Sequence, residues 1–188
     1  HGETAIIARI LTEENGLVAG YVAGGRGRHL RPVVIPGNLV DAEMRAKSDS
    51  QLPFARLELV ASRGPWLTEP LPAAAINWVT AVTAAVLPER VAYPSLYNAL
   101  EGVLDAICSA PAARDWLSGL VAYEILMLRE LGYGGGNPPQ FGSFAETFAA
   151  FEQMFTSLDK HLLAGTYGDV TSARTLLRTR LAKISGAD

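Results

Sequence analysis

The residues best suited to chemistry in this sequence are three arginines and a histidine within six positions: Arg26, Arg28, His29 and Arg31. Glycines precede and separate them, so the backbone can come close to a ligand. Guanidinium groups bind phosphate oxygens through paired hydrogen bonds, which makes a contact with nucleic acid the functional interpretation. A solvated loop whose arginines serve only solubility is the alternative, and the pattern alone leaves both open.

Other nucleotide-binding loops are excluded by the residues that follow this segment. No Gly-Lys-Ser or Gly-Lys-Thr follows, which excludes a phosphate-binding loop of the Walker type. No helical pattern begins there, which excludes the turn of a dinucleotide-binding fold. Further basic side chains on the expected strands can extend this nucleic-acid-binding set, unless they are ordinary solvated positions on strand faces: Arg9, Arg45, Lys47 and Arg56.

Aromatic side chains that can stack on bases are scarce in the same region. Only Tyr21 and Phe54 precede Trp66, and we expect both to lie in a core. A stacked base contributes about 1–3 kcal/mol to single-strand binding. Without such contacts, we expect binding to the backbone that is indifferent to base sequence.

No combination of side chains resembles a catalytic site, so we expect neither enzymatic activity nor a cofactor. The three histidines stand near no nucleophile elbow and form no His-Glu-x-x-His pair. The single cysteine, Cys108, cannot form an internal disulfide or a cysteine-rich zinc site, and we expect a buried structural thiol. This cysteine usage fits a reducing cytosol. A hydrolase with an unrecognised site is the least supported alternative.

Two polar features of the second half are expected to serve packing or partner binding. The spacing of Val121, Glu124 and Leu128 places Glu124 on an apolar helical stripe. We therefore expect a hydrogen-bonded or arginine-paired glutamate that joins the helices to the β module. The last helix carries basic side chains that can receive an acidic peptide tail, unless it is an ordinary amphipathic helix: Arg174, Arg178 and Lys183.

Composition and charge divide the 188 residues into two modules. With 49% hydrophobic and 19% charged residues, the chain has enough apolar side chains for folded cores. Residues 1–65 carry a net charge of +1 (eight basic, seven acidic), and residues 66–188 carry −4 (eight basic, twelve acidic). Because the whole chain carries −3, bulk charge does not attract nucleic acid, and any contact must be local.

Four short strands are predicted within residues 1–65. The Asn15-Gly16 turn predicts a hairpin between residues 6–12 and 17–23, and further strands are expected at about 39–47 and 54–62. Short strands with close turns favour a small barrel or sandwich. Since a closed barrel of this kind usually needs a fifth strand, we expect a first strand to be missing before His1.

Residues 66–188 are predicted to form a helical bundle. Apolar residues at helical spacing mark helices near 96–107 and 117–131, and Gly132 is expected to end the second. Two more helices are expected at about 141–163 and 169–183. The uncharged stretch at 70–88 is rich in alanine and contains polar residues, so we expect a buried helix of a soluble protein rather than a membrane span.

Several short motifs, taken in order along the chain, resemble those of the RecO family of bacterial recombination mediators. They are Gly2-Glu3 with residues 6–12 and the Gly16 turn, Gly25-Arg26 leading to Leu30-Arg31-Pro32 and Pro36-Gly37-Asn38, and Tyr123-Glu124 with Leu126, Leu128 and Leu131-Gly132-Tyr133. Each motif is short, but together they follow the family's order.

The resemblance implies an α+β protein with an N-terminal OB-fold β-barrel at residues 1–65 and an all-α helical domain at 66–188. It implies binding of single- and double-stranded DNA, strand annealing, and loading of a recombinase with RecR on strands coated by single-strand binding protein. The C-terminal tail of that protein is an implied partner, and the implied location is cytoplasmic and nucleoid-associated. An OB-fold adaptor that binds proteins without direct DNA activity is the alternative.

The sequence departs from the family pattern in three places. Gly27 and Arg28 stand where many members have Lys and Ser. The four-cysteine zinc site of some members cannot form, since the chain has one cysteine. The segment between Tyr133 and Phe141 is short for the family, so we expect an insert to be missing near Asn137.

Overall fold

In a computed structural model, strands occupy the first third of the chain and helices the rest; the structure describes residues 4–46, 48, 51–134, 136–165 and 168–185. The strands are β1 (Ile6–Thr12), β2 (Gly16–Val22), β3 (Leu39–Arg45) and β4 (Phe54–Ala61). The helices are α1 (Pro70–Val86), α2 (Pro94–Ser109), α3 (Leu117–Glu130), α4 (Phe144–Leu158) and α5 (Gly168–Ser185). A π-helical turn, Asp159–Leu163, extends α4. This order confirms the α+β class.

The four strands form one sheet in the order β1-β2-β4-β3. β1 and β2 pair antiparallel, as do β3 and β4, and a single parallel pair, Tyr21 with Phe54, joins the two hairpins. The N–H of Tyr21 also donates to the Pro53 carbonyl over 2.7 Å. A register shift between Leu39 and Val40 interrupts the alternation at the start of β3. The described residues therefore form an open four-stranded sheet.

The first hairpin turns at the predicted glycine. Gly16 has a φ of +65°, and the hydroxyl of Thr12 donates to its carbonyl over 3.1 Å. A β-carbon added to Gly16 would lie 1.9 Å from the carbonyl oxygen of Val91, in the segment between α1 and α2. Glycine is required here both by the left-handed backbone and by the close approach of a second segment.

Replacing Gly16 with alanine is therefore expected to destabilise the fold more than the same change at Gly24. Gly24 also has a positive φ, +71°, but nothing lies within 4 Å of an added β-carbon. Left-handed backbone costs an alanine about 1–2 kcal/mol at either site, and the clash at Gly16 adds about 1–3 kcal/mol. Urea unfolding of the two variants measures the difference, and equal losses would contradict this explanation.

Two apolar clusters are buried. The smaller lies on one face of the sheet, around Val22, Ala55 and Leu57. The larger fills the helical bundle and includes Leu17 from β2, so the tip of the first hairpin packs against the helices. The backbone N–H of Arg90, just after α1, donates to the Leu17 carbonyl over 2.9 Å. Sheet and bundle are thus connected through the start of β2.

The apolar stretch at 70–88 forms the buried helix α1, as predicted. Trp78 and Ile76 are completely buried, and α1 packs against α2 and α5. Within the described residues, no helix combines the length and the apolar character needed to cross a membrane. α3 ends as its glycine predicts: Gly132 has a φ of +83°, and the N–H of Tyr133 donates to the Leu128 carbonyl over 2.9 Å.

A buried ion pair connects four helices. Glu124 of α3 is completely buried, and its Oε1 accepts hydrogen bonds from Arg174 of α5 and, over 2.7 Å, from the Trp78 indole of α1. The guanidinium carbon of Arg174 lies 3.3 Å from the ring centroid of Phe151 in α4, whose carbonyl also accepts from Arg174. Burial raises the pKa of Glu124 and lowers the pKa of Arg174, while the charge of each partner opposes the shift.

The arginine-paired glutamate predicted at position 124 is therefore confirmed, but its expected location between helices and β module is wrong. The hydrogen-bond partners that the structure gives Glu124 belong to α1 and α5. The Glu124–Arg174 ion pair therefore links helices of the bundle to one another.

Candidate nucleic-acid interface

The basic segment opens a long connection, residues 23–38, that runs from β2 to β3. It begins as a series of turns. The N–H of Gly27 donates to the Gly24 carbonyl over 2.7 Å, and the N–H of Arg31 donates to the Gly27 carbonyl over 2.9 Å. The side chain of Leu30 packs against the apolar cluster of the sheet. Because Leu30 faces this cluster, the polar residues around it face the surface.

The four polar members of this segment are all exposed: Arg26, Arg28, His29 and Arg31. None of the three arginines forms an ion pair with a carboxylate in the described part of the chain. Their guanidinium groups are therefore available to an external anion. This availability is the condition on which the nucleic-acid interpretation depends.

The backbone of the same turns offers further donors. Arg28, His29 and Leu30 have backbone N–H groups without a hydrogen-bond acceptor among the described residues. Successive free amides in a turn form a concavity that attracts anions. A phosphate at this point can thus receive hydrogen bonds from main chain and guanidinium together.

The far end of the connection is attached to the helices. The Asn38 amide donates to the carbonyls of Pro32 and Val33 over 2.9 and 3.0 Å and accepts from the Arg63 N–H over 2.7 Å. The Arg63 guanidinium donates to Asp105 of α2 over 2.5 Å. The basic segment therefore has a fixed position relative to both sheet and bundle. In the sequence, only the Pro36-Gly37-Asn38 turn indicates this network.

The predicted extension of the basic track is engaged in ion pairs. Its described members each contact a carboxylate: Arg9 with Glu89 at 3.4 Å, Arg45 with Glu43 at 2.6 Å and Arg56 with Glu58 at 3.3 Å. These pairs are exposed and make the surface around them locally neutral. Lys47 lies outside the described residues. Among the described residues of the β module, the positive charge without an ion-pair partner is concentrated in residues 26–31.

The expectation that Phe54 lies in a core is wrong, because its side chain is 58% exposed. Tyr21 is half-buried, and the centroids of the two rings lie 5.1 Å apart with an interplanar angle of 71°. The sequence contains a signal for this exposure: Phe54 alternates with Arg56 and Glu58, so it shares their polar face.

The basic surface predicted on the last helix has to be corrected at Arg174. This residue is 3% exposed and bound to Glu124, so its guanidinium is not available at the surface. It precedes the buried Leu177 by three positions and Leu181 by seven, which places it on the apolar face of α5. Exposed cations remain at Arg178 and Lys183.

The described residues give little support to a metal site or to a reactive cysteine. Among the described residues, no group of three or more His, Cys, Asp or Glu side chains is placed to hold a metal ion. Cys108 is half-buried, and burial raises the pKa of its thiol, which disfavours the reactive thiolate.

Comparison with known proteins gives consistent results for the two parts of the chain. Residues 1–63 match the family model "Recombination protein O N terminal", and residues 69–135 match "Recombination protein O C terminal". The chain is 40% identical over 136 residues to a DNA repair protein RecO of Caulobacter vibrioides, covering 71% of this chain and 54% of that protein. It is 39% identical over 148 residues to the DNA repair protein RecO of Rhodospirillum centenum, covering 78% and 56%.

A third relative, the DNA repair protein RecO of Paracoccus denitrificans, is 35% identical over 134 residues, covering 71% of this chain and 54% of that protein. The chain thus spans about half the length of the curated relatives it matches. The two family models together include every strand and α1 to α3.

Proposed function

Because this chain belongs to the RecO family, we propose that it is a DNA-binding mediator of DNA repair and recombination that binds phosphates through Arg26, Arg28 and Arg31. The observation that carries this proposal is the exposure of these three guanidiniums on an anchored turn, without carboxylate partners in the described part of the chain. Phosphate contacts of this kind supply most of the sequence-independent affinity for nucleic acid.

The charge distribution favours DNA binding to the β module rather than to the helical bundle. Residues 66–188 carry a net charge of −4, whereas residues 1–65 carry +1. A polyanion is repelled from the bundle and attracted to the basic turn, so both single and double strands approach the β module. Strands held close together there can anneal, with base pairing as the source of free energy. In this proposal the protein holds strands and performs no covalent chemistry.

The proposed partners are RecR and the C-terminal tail of single-strand binding protein, with which the chain takes part in loading a recombinase in the cytoplasm. Support comes from the family and from exposed basic residues on α5. Arg178 donates to Glu152 over 2.7 Å, so an acidic tail has to compete with this exposed carboxylate. Lys183 lies further along the same helix.

We further propose that the four strands belong to an OB-fold barrel closed by an additional strand. Support comes from a cleft of about 630 Å³ between the sheet and the bundle, lined by β1, by Val40 and Ala42 of β3, and by Tyr97 and Leu104 of α2. Such a cleft beside the outer strand β1 has room for an extended segment.

The salt dependence of DNA binding tests the proposed function. For three phosphate contacts on a single strand, raising the salt from about 50 to 200 mM is expected to weaken binding roughly 20-fold. Fluorescence anisotropy of a labelled oligonucleotide measures the affinity, with a duplex of the same sequence in parallel. An affinity that stays constant across this range, or no binding at low salt, would contradict the proposal.

A further inference from the structure

A row of exposed side chains crosses the outer face of the sheet, opposite the apolar cluster. In the strand register, Ile7 lies opposite Tyr21, Tyr21 opposite Phe54, and Phe54 opposite Arg45. Directly paired residues project from the same face of a sheet. Ile7 is 64% exposed and Phe54 58% exposed. Strands β1, β2 and β4 therefore present one apolar and aromatic row, with Arg45 of β3 at its end.

The fold does not use the Phe54 ring for its core. The apolar cluster of the sheet is built from the opposite face, where Val22, Ala55 and Leu57 are buried. Phe54 contacts Tyr21 edge to face, an arrangement that leaves the broad face of a ring open to a further aromatic partner. Phe54 is not exposed singly, because Tyr21 and Ile7 adjoin it across the strands, and a contiguous exposed apolar surface is typical of a binding site.

The charges around the row identify the part of a ligand that it can hold. Arg45 and Arg56 each contact a carboxylate two residues away on their own strand, so this face has little net attraction for phosphate. It offers aromatic faces instead. Unpaired bases present such faces to a protein, whereas bases inside a duplex stack on each other.

The row lies at the end of the sheet where the proposed phosphate-binding turn begins. The N–H of Arg26 donates over 2.8 Å to the carbonyl of Thr4, which lies two residues before β1. A β-carbon on Gly25 would lie 2.5 Å from the side chain of Ile6, which packs on the cluster face of β1 beside the exposed Ile7. The basic turn therefore begins at the same end of the sheet as the row. A strand held by its phosphates at the turn can place its bases on the rings.

We infer that Tyr21 and Phe54 form a stacking site for unpaired bases of a DNA single strand. This inference rests on the proposed DNA binding and adds to it a chemical basis for distinguishing single strands from duplexes. Stacking on an uncharged ring releases no counterions, so its contribution to affinity is independent of salt. The phosphate-binding turn and the stacking site therefore differ in a measurable property.

Replacing Phe54 with alanine is expected to weaken binding of an oligothymidylate roughly 5- to 150-fold while leaving the slope of log affinity against log salt unchanged. Binding of an oligomer of the same length made of abasic sites is expected to be unaffected. Phe54→Trp is expected to preserve or strengthen oligothymidylate binding, and Phe54→Leu to weaken it. Val60→Ala is the matched control, because Val60 is 61% exposed and lies on the same strand and face.

The results separate this inference from the proposed function. If the unchanged protein binds neither oligomer, the proposed function fails. If it binds oligothymidylate and the abasic oligomer equally well, or if Phe54→Ala and Val60→Ala bind alike, DNA binding stands and the stacking site is refuted. Thermal unfolding of each variant excludes loss of fold as the cause. Because Phe54 is exposed, we expect no more than a small change in stability.

Discussion

Replacing Glu124 with alanine is expected to lower the free energy of unfolding by about 3–5 kcal/mol. The substitution leaves the guanidinium of Arg174 buried without its countercharge, and it also removes the acceptor of the Trp78 indole. Uncompensated charge in a bundle interior has no access to water, which is why the expected loss is large. Urea unfolding followed by circular dichroism measures it.

A double variant distinguishes the loss of the pair from the loss of packing. Glu124→Leu combined with Arg174→Met removes both charges and keeps side chains of similar volume, and it is expected to recover most of the stability. Arg178→Ala is the matched control on the same helix, because its ion pair with Glu152 is exposed. That change is expected to cost about 0–1 kcal/mol. Equal losses for Glu124→Ala and Arg178→Ala would show that burial of the pair is unimportant.

Replacing Arg26, Arg28 and Arg31 together with alanine is expected to abolish most DNA binding at low salt. If each guanidinium contributes about 1.5 kcal/mol through a charge-assisted hydrogen bond, the affinity falls on the order of 1,000-fold. The salt dependence should also become shallower, by about 0.7 in slope for each phosphate of a single strand that the variant no longer neutralises. Anisotropy titrations at several salt concentrations give both quantities.

The control for this variant has the same change in total charge. Alanine at three exposed cations of the bundle, Arg114, Arg129 and Lys160, also takes the net charge from −3 to −6. It is expected to weaken binding only slightly, because the removed charges belong to the helical bundle and not to the basic turn. If both triple variants lose affinity to the same degree, the overall charge accounts for binding and the turn has no special role.

Local features of the sequence were sufficient to predict the elements of this fold. The Asn15-Gly16 pair specifies a hairpin because glycine tolerates the positive φ of its turn, and β2 does begin at Gly16 with a φ of +65°. Helical periodicity identified α2 and α3, and Gly132 marks the end of α3. The same periodicity was enough to predict that Glu124 is buried, since its neighbours on the stripe are apolar.

Partners distant along the chain could not be predicted in this way. Arg174 lies on the apolar stripe of α5, but the glutamate that it binds is 50 residues away, and the carboxylate that Arg178 contacts is 26 residues away. Phe54 was expected in a core, although its alternation with charged residues placed it on the polar face of β4. The attachment of the basic turn through Asn38 and Arg63 also joins segments 25 residues apart.

Local patterns were thus sufficient to predict the order of strands and helices, the hairpin turn and the concentration of arginines in one glycine-rich segment. Which distant groups meet follows only from the packed chain: Arg174 meets Glu124, Tyr21 meets Phe54, and Asn38 meets Arg63, which gives the basic turn a fixed position relative to sheet and bundle. The reason is physical: backbone preferences and periodicity act over a few residues, whereas burial and ion pairing depend on which distant segments meet when the chain packs.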